Sequence, residues 1–245
     1  MISSEQRCIY ERNPLAEVIC QLRFPEILSI ETELPAAFQE RIREVFPRYT
    51  LRKEGLPGKQ TNNYQFSTAD GSVRVNLTSK FISLAATKYR CWEDFARMLD
   101  QPLAAFIQVY KPAYFERVGL RYVNFISRRD LGLEHVPFRE LIEDCYLGIL
   151  SQEDVLENAT LRSTVDADTA LRGGCRCKLH AGPGTVRSQG KPDPETKFIL
   201  DLDLYMPGKV EVKLSAGALE TLHGQSYGLF RGAIRDRLHE ALETE

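Results

Sequence analysis

An α+β fold, with a mixed, mostly antiparallel sheet and helices packed on one face, follows from three features of the chain. Segments alternate apolar and polar residues with period two, turn signals lie close enough to join them as hairpins, and apolar stripes at helical spacing separate the groups. The clearest alternation runs from Ala16 to Phe24, where Val18, Cys20, Leu22 and Phe24 share one side, while Glu17, Gln21 and Arg23 share the other with Ile19 among them. That pattern is a strand with a single buried face.

From Leu34 the period changes. Leu34, Phe38, Ile42, Val45 and Phe46 recur at helical intervals, Pro35 suits a first turn and Pro47 stops the element, which predicts a helix of about three turns. Leu51 to Asn63 is rich in glycine, lysine and polar residues and reads as a loop. Two strands follow, Tyr64 to Ser67 and Val73 to Leu77, around Ala69-Asp70-Gly71-Ser72, whose Asp-Gly pair supplies the positive φ of a tight hairpin. A third strand is expected over Phe81 to Tyr89. Trp92, Phe95, Leu99, Leu103, Phe106 and Tyr110 then mark one stripe of a long helix, which Pro102 kinks or divides, before a strand over Glu116 to Ile126.

In the second half, Pro137 opens a helix carrying Phe138, Leu141, Ile142, Cys145 and Ile149, followed by strands near 159–167, 170–180 and 197–205. The last helix is expected from Ala216 to Leu242, with Leu219, Leu222, Phe230, Ile234 and Leu238 as its stripe. The two halves read as β-α-β-β-β-α-β and α-β-β-β-α, a loose structural duplication without a repeat at residue level. The organisation expected is one α+β domain over 1–245, with 1–130 and 131–245 as sub-lobes.

Composition narrows the function. With 32 basic and 34 acidic side chains in 245 residues, the formal charge of -2 argues against bulk attraction to nucleic acid or an anionic membrane. No run reaches the roughly 18 apolar residues of a membrane span, and Met1 to Cys8 lacks the pattern of a secretory signal, so a cytoplasmic location is expected. Six cysteines, at 8, 20, 91, 145, 175 and 177, form no disulfide framework and read as reduced thiols.

The candidate chemical motifs each lack a part. Gly224-Gln225-Ser226-Tyr227-Gly228 matches the nucleophile-elbow pattern, but helical spacing precedes it, and Asp236 and His239 sit on the same expected helix as Ser226. The glycines give a second reading. Gly224, Gly228 and Gly232 fall four apart on one helix face, each costing about 1 kcal/mol against alanine. Close approach of another backbone, within the chain or from a second subunit in a homo-oligomer, would offset that cost.

Asp201 and Asp203 project from one side of a strand and could hold a divalent cation, as a metal-dependent nuclease or phosphatase requires. Further ligands are missing, and the neighbouring strand offers Arg172, Arg176, Lys178 and His180 on one face, so an ion-paired surface is expected instead. In Cys175-Arg-Cys177-Lys-Leu-His180 the cysteines and the histidine face opposite ways, which argues against zinc. The segment Gly182 to Pro192 has the wrong spacing for a phosphate loop and reads as a hairpin connection. No glycine-rich dinucleotide fingerprint follows a strand, so no cofactor is expected.

Charged strands remain. Arg117, Gly119 and Arg121 share a face with Val123, and Glu17, Gln21 and Arg23 share a face of the first strand; if these strands are neighbours, one polar strip carries three arginines and a glutamate. Arginine's planar fork suits carboxylate or phosphate, and Gly119 leaves room for a ligand or another backbone. An internal salt-bridge network that fixes strand register is the competing role for the same residues. Arg128-Arg129 extends the basic character towards nucleic acid, although no aromatic interleaving or binding motif accompanies it.

Two blocks, Asn13-Pro-Leu-Ala-Glu-Val-Ile-Cys-Gln-Leu-Arg-Phe-Pro25 and Arg117-Val-Gly-Leu-Arg-Tyr-Val-Asn-Phe-Ile126, together with Leu77 to Tyr89 and Trp92-Glu-Asp-Phe95, resemble a sporadically distributed prokaryotic family of proteins about this size. The likeness covers the N-terminal half and weakens from His135. It implies a bacterial or archaeal cytoplasmic protein and carries no assigned activity or catalytic residue; patchy distribution is typical of mobile or defence-associated genes. The organised polar strand set, without a complete catalytic constellation, sets the expectation of a non-enzymatic protein, a candidate subunit of a defence-associated assembly, that presents Arg23, Arg117, Gly119, Arg121 and Glu17 to a protein partner or small anionic ligand, with no catalytic residue assigned. The alternative is a metal-dependent hydrolase using Asp201 and Asp203.

Overall fold

Among the described residues nine strands pair into one antiparallel sheet, and six helices accompany it, an α+β architecture. The computed structural model describes residue 3 and residues 7–56, 60–188 and 190–243. In chain order the elements are β1 (Leu15–Arg23), α1 (Leu28–Thr32), α2 (Ala36–Ile42), β2 (Arg48–Glu54), β3 (Thr61–Ser67), β4 (Val73–Leu77), β5 (Phe81–Ala86), α3 (Trp92–Tyr110) and β6 (Phe115–Ile126). After these come α4 (Asp144–Leu147), β7 (Val165–Ala170), β8 (Arg176–Ser188), β9 (Lys191–Val210), α5 (Ser215–Arg231) and α6 (Asp236–Glu243). The strand order is β2-β3-β4-β5-β1-β6-β9-β8-β7. The chain clusters into two units built from separate stretches, the first from Met1–Ala16, Arg121–Leu204 and His223–Glu245, the second from Glu17–Leu120 and Tyr205–Leu222.

In the second unit the alternation of β1 sets the register. Val18, Cys20 and Leu22 are buried opposite Ala86, Leu84 and Ile82 of β5, so one face of both strands is core. Helix α3 supplies the other side: Phe106 stacks on Phe24 with ring centroids 4.6 Å apart, and each fully buried phenyl contributes about 1.5–3 kcal/mol relative to exposure. Phe38 of α2 meets Phe66 of β3 edge-on at 5.5 Å. Glu93 and Asp94 favour the positive N-terminal end of α3, and the helix runs through Pro102 before Lys111 closes it in a left-handed conformation at φ 47°. At its start the Trp92 indole donates a 2.8 Å hydrogen bond to Glu220 in α5.

Two expectations in this unit are corrected. Leu34 is exposed and precedes α2, so the helical stripe begins at Phe38. The segment read as a loop contains β2, paired with β3 from Arg48↔Ser67 to Glu54↔Thr61. All seven β2 residues are exposed, so no buried row marks the strand in the sequence.

In the first unit, Phe198, Leu200, Leu202 and Leu204 of β9 are fully buried, with Phe138 5.4 Å from Phe198. The expected helix after Pro137 is instead a 3-10 turn at Phe138–Glu140, the single turn α4 and a second 3-10 turn at Gly148–Ser151. The long final helix is broken too, into α5 and α6. The break at 141–143 and the one after Arg231 share a cause: Ile142 bridges Ile234, the Glu143 amide donates to the Ala233 carbonyl at 2.9 Å, and the Arg235 amide donates to the Leu141 carbonyl at 2.8 Å; α4 itself ends at Gly148, whose φ is 58°. Backbone groups spent on this long-range pairing are not available for helical bonds. Strands β7 and β8 pair from Val165↔Ala181 to Ala170↔Arg176, and β8 and β9 extend through much of the stretch expected as a loose connection.

Candidate functional site

The second unit carries a polar sheet face opposite its core. Successive registers align Gln21, Ser83, Asn76, Gln65 and Thr50 across β1, β5, β4, β3 and β2. Asn76 donates to Ser83 at 3.1 Å and accepts from Gln65 at 2.9 Å, so the buried centre of this row satisfies itself. Charges flank the row. The same alternation puts Arg23, Arg74, Arg48 and Arg52 on this face, together with Glu17 and Glu54.

Each of these cations has a distinct environment. Arg74 reaches Glu17 at 3.7 Å, while its buried Nε has no acceptor among the described residues. Arg23 donates through Nε to the neutral Gln21 amide at 2.9 Å and lines an open pocket of about 450 Å³ with Lys80, Glu26, Glu54 and Glu116. Arg48 and Arg52, on the strand at the end of the sheet, are exposed and have no carboxylate within ion-pair distance among the described residues.

On β6, Arg117 and Gly119 stand opposite buried Val118 and Leu120. The Arg117 guanidinium lies over the Tyr205 ring, 4.5 Å from its centroid, and rests directly against Gly119, where a methyl group would collide with Nη1. Gly119 thus gives room to an arginine of its own strand. The sequence signal read as space for a ligand has an intrachain occupant.

The first unit's sheet face is acidic. Arg121 forms a two-pronged pair with Asp201, through Nε to Oδ1 at 2.8 Å and Nη2 to Oδ2 at 2.5 Å. Both line an open cavity of about 510 Å³ with Asp166, Asp168, Lys178, His180 and Asp203. Four carboxylates thus face two permanent cations, and His180 is hydrogen-bonded to Asp166 at 2.7 Å. Asp201 and Asp203 belong to no set of three potential metal ligands within 4.8 Å among the described residues. Below this face, burial and the carboxylates of Asp203, Asp201 and Asp168 push the Cys177 thiol up to about 12, which keeps it protonated.

The remaining motifs serve the fold. Arg128 is paired with Glu157 at 2.7 Å and stacks on Phe138 at 3.9 Å, while Arg129 faces Asp193 at 3.4 Å, so neither extends a basic surface. Ser226 is buried within α5 and donates to the His223 carbonyl at 2.7 Å, a helical back-bond and not an exposed nucleophile. Gly232 lies beyond the end of α5, so the expected three-glycine helix face is corrected to Gly224 and Gly228. Open space surrounds the missing side chain of Gly224, and the Gly228 carbonyl accepts from the Ser3 amide at 2.9 Å.

Sequence reasoning missed Arg48, Arg52 and Arg74. The alternation of Arg48, Thr50 and Arg52 was visible, but with no apolar row beside it nothing distinguished a strand from a polar loop. Comparison with protein-family models and with curated proteins finds no match to this chain.

Proposed function

We propose that this is a non-enzymatic binding protein whose second-unit sheet face and open edge strand β2 receive an acidic, extended segment of a protein partner in the cytoplasm. One observation carries the reading: Arg23, Arg48, Arg52 and Arg74 share one strand face of this unit with Glu17 and Glu54, and Arg48 and Arg52 at its edge have no carboxylate within ion-pair distance among the described residues. Guanidinium forks suit carboxylates, and among the described residues β2 has a strand on one side alone, so its other edge offers backbone donors and acceptors to an incoming strand. The same charges discourage pairing of β2 with another copy of itself, which selects for a partner of opposite sign.

Fluorescence anisotropy with an extended glutamate-rich peptide tests this. Binding is expected at low salt, to weaken as salt rises, and to fall at least tenfold in the Arg48→Ala/Arg52→Ala double variant. Equal binding by the double variant refutes the reading. Preference for a single-stranded oligonucleotide over the peptide reassigns the surface to nucleic acid.

A further inference from the structure

Cys8, His239 and Glu243 bring a thiol, an imidazole and a carboxylate together in the first unit, their ligand atoms all within 4.8 Å of one another. His239 and Glu243 are four apart on α6 and therefore share a face, with Nε2 and Oε1 3.6 Å apart. A tetrahedral zinc site with bonds of roughly 2.0–2.3 Å holds its ligand atoms about 3.3–3.6 Å apart, so this pair is already at ligand spacing.

The surroundings orient the ligands. The Tyr10 hydroxyl is hydrogen-bonded to His239 Nδ1 at 3.0 Å, which turns Nε2 towards Cys8 and Glu243, as an outer-shell partner of a metal-bound histidine does. The Tyr10 ring is held edge-on between Phe230 at 5.7 Å and His239 at 5.6 Å. Cys8 is fixed in turn: its backbone N–H donates to the Tyr227 hydroxyl at 3.2 Å, and that hydroxyl lies 3.5 Å from Sγ. A thiolate and a carboxylate together neutralise a divalent ion, and a mixed sulfur, nitrogen and oxygen set suits zinc better than calcium or magnesium.

We propose that Cys8, His239 and Glu243 form a zinc-type site that clasps the N-terminal arm to α6, with Tyr10 as a positioning residue and a fourth position open to water. The site is independent of the sheet-face reading. Cobalt(II) is the probe, titrated into the full chain after reduction and removal of metals by chelator. The expected result is one cobalt per chain, with a thiolate charge-transfer band and the intense visible bands of tetrahedral coordination. These bands persist in Cys145→Ser, which removes the exposed thiol, and vanish in Cys8→Ser. His239→Gln and Glu243→Gln weaken binding at least tenfold, and Tyr10→Phe weakens it about 10–100-fold. Absence of the bands at equimolar cobalt, their survival in Cys8→Ser, or their loss in Cys145→Ser overturns the proposal. Should Cys8→Ser fail to fold by circular dichroism, the histidine and glutamate variants decide: unchanged affinity in both overturns it equally.

Discussion

Replacing Gly119 by alanine probes the arrangement around Arg117 most cleanly. A Cβ built at position 119 would stand 2.9 Å from Arg117 Cζ and 3.2 Å from Nη2, closer still to Nη1, so the guanidinium must leave. The obstructing atoms are the far end of a flexible side chain, which can swing away without moving backbone. Its departure forfeits the stack on Tyr205, about 0.5–1 kcal/mol for an accessible cation–π contact, while alanine in a strand recovers about 0.5–1 kcal/mol of backbone entropy relative to glycine. The two terms nearly cancel, so Gly119→Ala is expected to change stability by less than about 1 kcal/mol. In an Arg117→Ala background the collision is gone and only the gain remains, about 0.5–1 kcal/mol. A double-mutant cycle by urea denaturation measures this coupling. Additive effects within about 0.3 kcal/mol, or a loss above roughly 2 kcal/mol from Gly119→Ala alone, would refute the geometry.

Three further outcomes follow from the structure. Arg121→Ala leaves the largely buried Asp201 carboxylate without its two-pronged donor and is expected to cost about 1 kcal/mol after allowing for the exposure of the arginine, with acidic-peptide binding unchanged; reduced peptide binding at full stability would place the recognition surface on the other unit. Alkylation of the native protein at pH 8 should label exposed Cys145 while sparing Cys20 and Cys177, whose thiols burial pushes up to about 12; labelling of all three at one rate contradicts that burial. Hydrogen bonds from the Ser72 backbone, Thr68, the Ser72 hydroxyl and Lys88 hold the Asp70 carboxyl below its ordinary range. Because the folded value is depressed, its contribution is complete above the unfolded pKa near 3.9 and fades as pH falls through the folded value. Asp70→Ala should therefore lower the melting temperature at pH 7 and flatten its acid dependence, and an unchanged acid limb would contradict this.

How far the sequence led depended on whether a residue's role was local. The alternation in Ala16 to Phe24 predicted β1 because one side of it is core, and Asp70-Gly71 predicted its hairpin because glycine supplies φ 74° at the turn. The unbroken helical stripe from Leu219 to Leu238 misled. Its interruption comes from pairing with residues about 90 positions earlier, and no local propensity encodes that. Strand β2 was hidden for the opposite reason, being an edge strand with no apolar row to announce it. The site residues show the same division. Alternation placed Arg23, Arg117 and Arg121 away from the core, but only coordinates distinguish Arg121, clamped to Asp201, from Arg48 and Arg52 at the open edge. The metal-type cluster joins position 8 to positions 239 and 243, a separation that spacing rules for cysteine and histidine do not reach.

Charge reversal at the edge strand tests the binding account most directly. Affinities of a glutamate-rich and a lysine-rich peptide of equal length would be measured for the natural protein and for Arg48→Glu/Arg52→Glu. The account predicts that the natural protein prefers the acidic peptide and the reversed protein the basic one. An unchanged order of preference would mean that this face of the sheet does not select the partner.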